Sequence, residues 1–186
     1  GINLANANAR RLAEDADTLL NLGRFPTAAS LAALSIEESG KVSILRLLSL
    51  AKSKDDIAIG WKNYRSHTKK NVKWTLPELL KSGARRLEDL RPLFDEHADH
   101  PHTLDKLKQL GFYTDCLNDR NWSDPAYVIE EGVARSIVVT AKLLAGETQT
   151  TTREIELWVE HMGAAPTEDF ESGKKALVSW YAAMQA

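Results

Sequence analysis

Apolar positions recur at spacings of three and four over most of the chain, so helices dominate the expected fold. Residues 3 to 22 carry Ala5, Ala9, Leu12, Ala16 and Leu19 in one such stripe. "LGRFPT" interrupts it: Gly23 suits a helix C-terminus and Pro26 the first turn of the next helix. A second helix is predicted over about 27 to 51. A third covers about 55 to 70, with Ile57, Trp61 and Tyr64 on one side. A fourth spans about 76 to 98, kinked at Pro92, and a short piece at 103 to 110 stops before Gly111. "GFYTDCLNDRNWSDPAY" is too irregular for a helix. Its aromatics Phe112, Tyr113, Trp122 and Tyr127 suggest an ordered loop packed on the body. Asp124 and Pro125 look like the N-cap and first position of a helix over about 126 to 145. "GETQTTT" leads to a helix near 152 to 162, ended by Gly163 and Pro166, and a last helix covers about 168 to 184. No stretch alternates with period two for long. The expected class is all-α: a single helical domain over 1–186, with a bundle core at about 3–145 and a C-terminal helical extension at 146–186.

The second helix breaks its own pattern. Leu31, Leu34, Glu38, Lys41, Leu45 and Leu48 lie on one line, so a carboxylate and an ammonium share a stripe with four leucines. Glu37 sits one position off that line and four residues before Lys41. An unpaired buried charge costs several kcal/mol, so these groups need partners. They can pair along their own helix as a structural ion pair. Alternatively they line a polar cavity facing another helix, with Gly40 permitting close approach.

The third helix offers an opposing set. "WKNYRSHTKKNVKW" contains Lys62, Arg65, Lys69, Lys70 and Lys73 and no acid, interleaved with Trp61, Tyr64 and Trp74. His67 and Lys70 share a face, and Tyr64 lies three residues before His67. A histidine beside lysines and a carboxylate can act as general acid or base near neutral pH. Lysines hold phosphate and exposed aromatics stack bases. Basic residues near a helix C-terminus also complement the macrodipole, which accounts for Lys69, Lys70 and Lys73 without function.

Composition narrows the picture a little. With 186 residues and 43% apolar content, the chain can build its own core. A net charge of -2 selects no partner, so any nucleic-acid affinity must be local. Cys116 is the only cysteine, which excludes an internal disulfide and fits a reducing compartment. No membrane span or signal-peptide pattern is visible, and a cytoplasmic location is expected.

"ANARRLAEDADTLLNLGRFPTAASLAALSIEESGK", then "WKNYRSHTKK", then "GFYTDCLNDRNWSDP", resembles the AbiV family of abortive-infection proteins within the HEPN superfamily. The resemblance covers about residues 3 to 145. It implies a helical HEPN bundle, a homodimer, and a role in bacterial defence against phage. It further implies contact with RNA or the translation machinery, and possible metal-independent ribonuclease activity. An inactive module that recognises a protein partner, such as a phage-encoded activator, is the alternative.

Catalytic HEPN domains carry Arg, four to six residues, then His. Here the literal match is Arg91 to His97, on a segment that Pro92 disturbs, and Arg65 stands too close to His67. The candidate catalytic set is therefore Glu38, Lys41, His67 and Lys70. Secondary candidates are Glu37, Tyr64, Arg65, Tyr113, Asp115, Arg91 and His97. Lys62, Arg65, Lys69, Lys70 and Lys73 are the candidate RNA contacts. In this set His67 moves a proton, Lys70 or Arg65 neutralises phosphorane charge, and Glu38 orients Lys41 or His67.

Asp95, His97, His100 and His102 are close in sequence, but they read as a solvated helix end, so no metal and no cofactor is assigned. A ferritin-like centre is disfavoured, because no histidine has a glutamate three residues before it. Tyr113 and Asp115 either close over the polar cavity or cap the core. Cys116 reads as a small buried hydrophobe. Trp158, His161 and Trp180 read as packing residues of the last helices or as a dimer surface.

Overall fold

An alanine seam holds the first two helices together. Helix α1 (Ile2–Asn21) buries Ala5, Ala9, Ala13 and Ala16, and α2 (Phe25–Leu48) buries Ala28, Ala29, Ala32 and Ala33. Small side chains let the backbones approach closely, close enough for Ser35 Oγ to donate to the Ala9 carbonyl at 2.7 Å. The turn between them follows from Gly23. Its φ of 70° suits glycine. Its N–H bonds Leu20 O and that of Arg24 bonds Leu19 O, the double bond of a Schellman cap.

The computed structural model describes residues 1–95, 97–116, 121–165 and 169–185. After α2 come α3 (Lys54–Arg65), α4 (His67–Lys70), α5 (Leu76–Lys81), a 3₁₀ helix (Leu87–Phe94) and α6 (His100–Phe112). A two-residue antiparallel pair follows, β1 (Asp115–Cys116) with β2 (Trp122–Ser123). Then come α7 (Pro125–Val128), α8 (Glu131–Leu144), α9 (Thr152–Met162) and α10 (Phe170–Gln185). The fold is all-α. Its main core joins α1, α2, α6 and α8 around Ile36, Leu104, Ile137 and Val138. Full burial of side chains of this size stabilises by about 1.5–3 kcal/mol each. A smaller core forms where Trp158 of α9 meets Trp180 of α10, edge to face at 5.1 Å. No helix among the described residues is long and apolar enough to cross a membrane.

Several expected boundaries shift. The predicted helix at 55–70 is two helices, because Ser66 is extended (ψ 128°) and serves as C-cap of α3 and N-cap of α4. The segment 76–98 is a short α-helix and a 3₁₀ helix containing Pro92, not one kinked helix. Gly111 does not end a helix. It lies inside α6, where a Cβ would come within 2.3 Å of Ser30 Oγ. Asp124 caps as expected, its Oδ1 accepting from Ala126 N–H, but α7 stops at Val128 and α8 starts afresh. The aromatics of the 111–127 segment are exposed rather than packed down: Trp122 is 73% and Tyr127 86% exposed. Cys116 is also exposed, since β1 lies on the surface. Residues 117–120, Pro166 and position 168 of these expectations lie outside the described residues.

Gly173 is inside α10 with open space where a Cβ would point. Gly173→Ala should therefore stabilise the protein by up to about 1 kcal/mol, read as a higher denaturant midpoint at unchanged slope.

Candidate functional site

Three helices converge because local chemistry forces them together. The break at Ser66 frees α4 from the line of α3, and α4 then crosses α2 at Gly40. A Cβ on Gly40 would sit 2.1 Å from the Lys70 carbonyl oxygen, so only glycine fits. The trailing end of α4 is tied to the start of α6. The buried Asn71 donates from Nδ2 to Pro101 O at 3.3 Å. His100 Nε2 donates to Val72 O at 2.9 Å, and Trp74 Nε1 to His100 O at 2.7 Å. Helix α6 is held in turn by Ser30, whose Oγ donates to Lys108 O at 3.0 Å beside the close contact at Gly111.

Glu37 stands where these helices meet. Its side chain is 4% exposed, yet it is a carboxylate with three partners. Oε1 accepts from Lys108 Nζ at 2.6 Å. Oε2 lies 2.7 Å from His67 Nδ1 and 3.4 Å from Lys70 Nζ. Lys108 also donates to Asp105 at 2.7 Å, one turn earlier on α6. Burial alone would pull the Lys108 ammonium down. Its bonds to Asp105 and Glu37 outweigh that and hold it above the ordinary lysine value of 10.5. Its stabilising contribution is therefore complete below 10.5 and is lost as pH rises through the raised value.

His67 is the open side of this cluster. Its side chain is 57% exposed, while the carboxylate behind it is covered. A carboxylate with two ammonium neighbours is an acceptor, so the neutral ring places its proton on Nδ1 toward Glu37. Nε2 is then left as a bare acceptor on the solvent side. The group is an oriented imidazole backed by a neutralised, buried charge network, an arrangement suited to proton transfer.

Glu37, His67 and Asp105 also place one ligand atom each within 4.8 Å of one another, a spacing a metal ion could use. The Lys108 ammonium lies among these three, at 2.6, 3.4 and 2.7 Å respectively. The donor set therefore already surrounds a cation supplied by the chain, and a divalent ion would have to displace it.

Among known families, AbiV of the HEPN group matches residues 1–146. The chain belongs to the AbiV family. Membership points it to abortive-infection defence. No curated protein and no solved structure matches it. The AbiV match takes in every member of the Glu37 cluster and ends just before α9 and α10.

Within this AbiV chain, the residues expected to converge do so only in part. His67 and Lys70 meet at Glu37. Glu38 and Lys41 do not join them: they bond each other at 2.5 Å, with Lys41 Nζ 5.2 Å from the centre of the Tyr64 ring. The reason is a stripe displaced by one residue. Leu31, Leu34, Glu38, Lys41, Leu45 and Leu48 are all only half-buried. The buried line runs Ala29, Ala33, Glu37, Gly40 and Ile44. The orienting role expected of Glu38 passes to Glu37.

Among the expected RNA contacts, Lys62, Arg65 and Lys69 are exposed. Lys70 is buried on Glu37, and Lys73 turns the other way to Ser43 Oγ at 2.5 Å. Arg91 and His97 form no pair: the Arg91 guanidinium lies 4.2 Å from the Phe170 ring centre, and His97 is exposed past the end of the 3₁₀ helix. Tyr113 is exposed, and the Asp115 carboxylate accepts from Cys116 N–H, so neither closes over the cluster. His100 is committed to Val72, which removes it from any cluster with Asp95, His97 and His102.

Lys108 and Asp105 were not foreseen. Their signal was present: Leu104, Lys108 and Gly111 are spaced 4 and 3 and are all buried. A lysine on an apolar line calls for a buried acid partner.

Proposed function

We propose that this protein serves abortive-infection defence by cleaving RNA without a metal, with His67 as the group that accepts the proton. The observation that carries the reading is an imidazole exposed on one side and bonded on the other to a buried carboxylate. His67 Nε2 takes the proton of a ribose 2′-hydroxyl, and the resulting alkoxide attacks the adjacent phosphorus. The 5′-oxygen leaves and takes a proton from water, leaving a cyclic phosphate and a free 5′-hydroxyl. Glu37 fixes the ring and steadies the imidazolium that forms. Arg65, exposed two residues away, offsets phosphorane charge. Lys62 and Lys69 contact flanking phosphates. Lys70 stays with Glu37 and supports the carboxylate from inside.

The test is RNA cleavage by the wild type and by His67→Ala, in the presence of a chelator. Wild-type cleavage should persist with the chelator, and His67→Ala should lose about 10²–10⁴-fold in rate while retaining RNA affinity. Equal rates would remove His67 from the reaction.

The same reading includes a homodimer. Ile57 and Trp61, one turn apart on α3, are 45% and 41% exposed, and α3 buries no residue of its own. We place the second copy against this face. A monomer in sedimentation velocity would contradict that.

A further inference from the structure

Helix α2 has a second polar face, opposite Glu37. At about 100° per residue, Ser39, Ser43 and Arg46 lie roughly half a turn round the helix from it. They line a cavity of 220 Å³ closed by Asn6 of α1, Lys73, and the 146–150 segment that follows α8. That segment is fastened in place: Asn3 and Thr150 exchange two hydrogen bonds at 2.9 and 2.8 Å, and Arg10 donates to Gly146 O at 2.6 Å.

The cavity has charge on one side of the balance only. Lys73 and Arg46 both line it, and no carboxylate among the described residues does. Lys73 donates to Ser43 Oγ, a neutral partner. Arg46 Nε is buried with no hydrogen-bond partner among the described residues, and so is Ser39 Oγ. The Arg46 guanidinium lies over the faces of Trp180 and Trp158, at 5.4 and 6.0 Å from the ring centres. Burial, and then the charge of Arg46, push Lys73 below its ordinary value. Half-buried cations without an acid partner and orphaned buried donors are costly, and one anion would satisfy them together.

We propose that this cavity binds a doubly charged phosphate, either inorganic phosphate or the phosphoryl end of a small monoester. Two cations without acids match a dianion better than the single charge of a mid-strand phosphodiester. The hydroxyls of Ser39, Thr148 and Thr150 and the amide of Asn6 suit its oxygens. The site is separate from the His67 centre and does not depend on the RNA reading. The two faces are linked mechanically, because α4 crosses at Gly40, sending Lys70 to one side and Lys73 to the other.

The test is calorimetric titration of sodium phosphate into the full chain at about pH 8, where phosphate monoesters are dianionic, against sodium chloride at matched ionic strength. Saturable phosphate binding is expected in the wild type, weakened at least about 10-fold in Lys73→Met. Ser39→Val, which puts methyl groups into the cavity, should weaken it similarly. Both variants must first match the wild type in circular dichroism and thermal unfolding. Lys73→Met removes a half-buried charge with no acid partner among the described residues and is expected to fold. A nucleoside 5′-monophosphate that competes identifies a monoester as ligand. One that fails to compete identifies inorganic phosphate, and either result keeps the proposal. No saturable binding, equal binding by the wild type and both variants, or competition by an RNA strand without a terminal phosphate would overturn it.

Discussion

Glu37→Ala should destabilise the protein by about 3–5 kcal/mol, whereas Glu38→Ala should cost about 1 kcal/mol or less. The two carboxylates are neighbours in sequence, but their surroundings differ. Glu37 is 3% exposed and meets Lys108 and Lys70, whose side chains are 6% and 7% exposed. Removing its charge leaves two buried ammonium groups facing each other with only Asp105 to share. Glu38 and Lys41 are each 18% exposed, so water can replace the lost partner. Against a usual stability of about 5–15 kcal/mol, the first loss is severe and the second minor. Denaturant unfolding of both variants checks this. Equal midpoints would mean that Glu37 is no more buried in the folded protein than Glu38.

Gly40→Ala is the second large effect. In an open helix this change stabilises by up to about 1 kcal/mol. Here the added methyl would lie 2.1 Å from a backbone oxygen and 2.8 Å from the Lys70 Cα, atoms that cannot swing aside as a flexible side chain can. Helix α4 must move away from α2, and overpacking of this kind costs about 1–3 kcal/mol or more. The sign therefore reverses relative to Gly173→Ala. The shift also carries Lys70 from Glu37 and Lys73 from Ser43, so the proposed RNA cleavage should fall along with stability. A Gly40→Ala protein as stable and active as the wild type would show that α4 does not pack at that crossing.

The chain shows its helices readily and its geometry less so. The ends of α1 and α9 are legible because Gly23 adopts a positive φ and Thr151 completes a capping box with Glu154. The interior of α2 is harder to read. Leucines mark a conspicuous stripe, but alanines fill the seam with α1, and size misleads where helices pack closely. A displacement of one residue, about 100° of rotation, transfers the buried role from Glu38 to Glu37. The break at Ser66 is hidden because apolar and basic residues continue through it. Gly111 looks like a terminator, yet it serves a close approach to Ser30 that appears only once α2 and α6 are in contact. Lys108 is 71 residues from Glu37, and neither residue alone announces the other. His67 and Lys70 were recognisable as a pair because both sit on one short turn.

All of the proposed chemistry depends on which way the His67 ring presents itself. Long-range ¹⁵N–¹H NMR correlations of its imidazole, recorded at a pH where the ring is neutral, report this directly. The expected result is a proton on Nδ1, donated to Glu37, with Nε2 bare toward solvent, and loss of that preference in Glu37→Gln. A ring carrying its proton on Nε2, or one unaffected by Glu37→Gln, would contradict it.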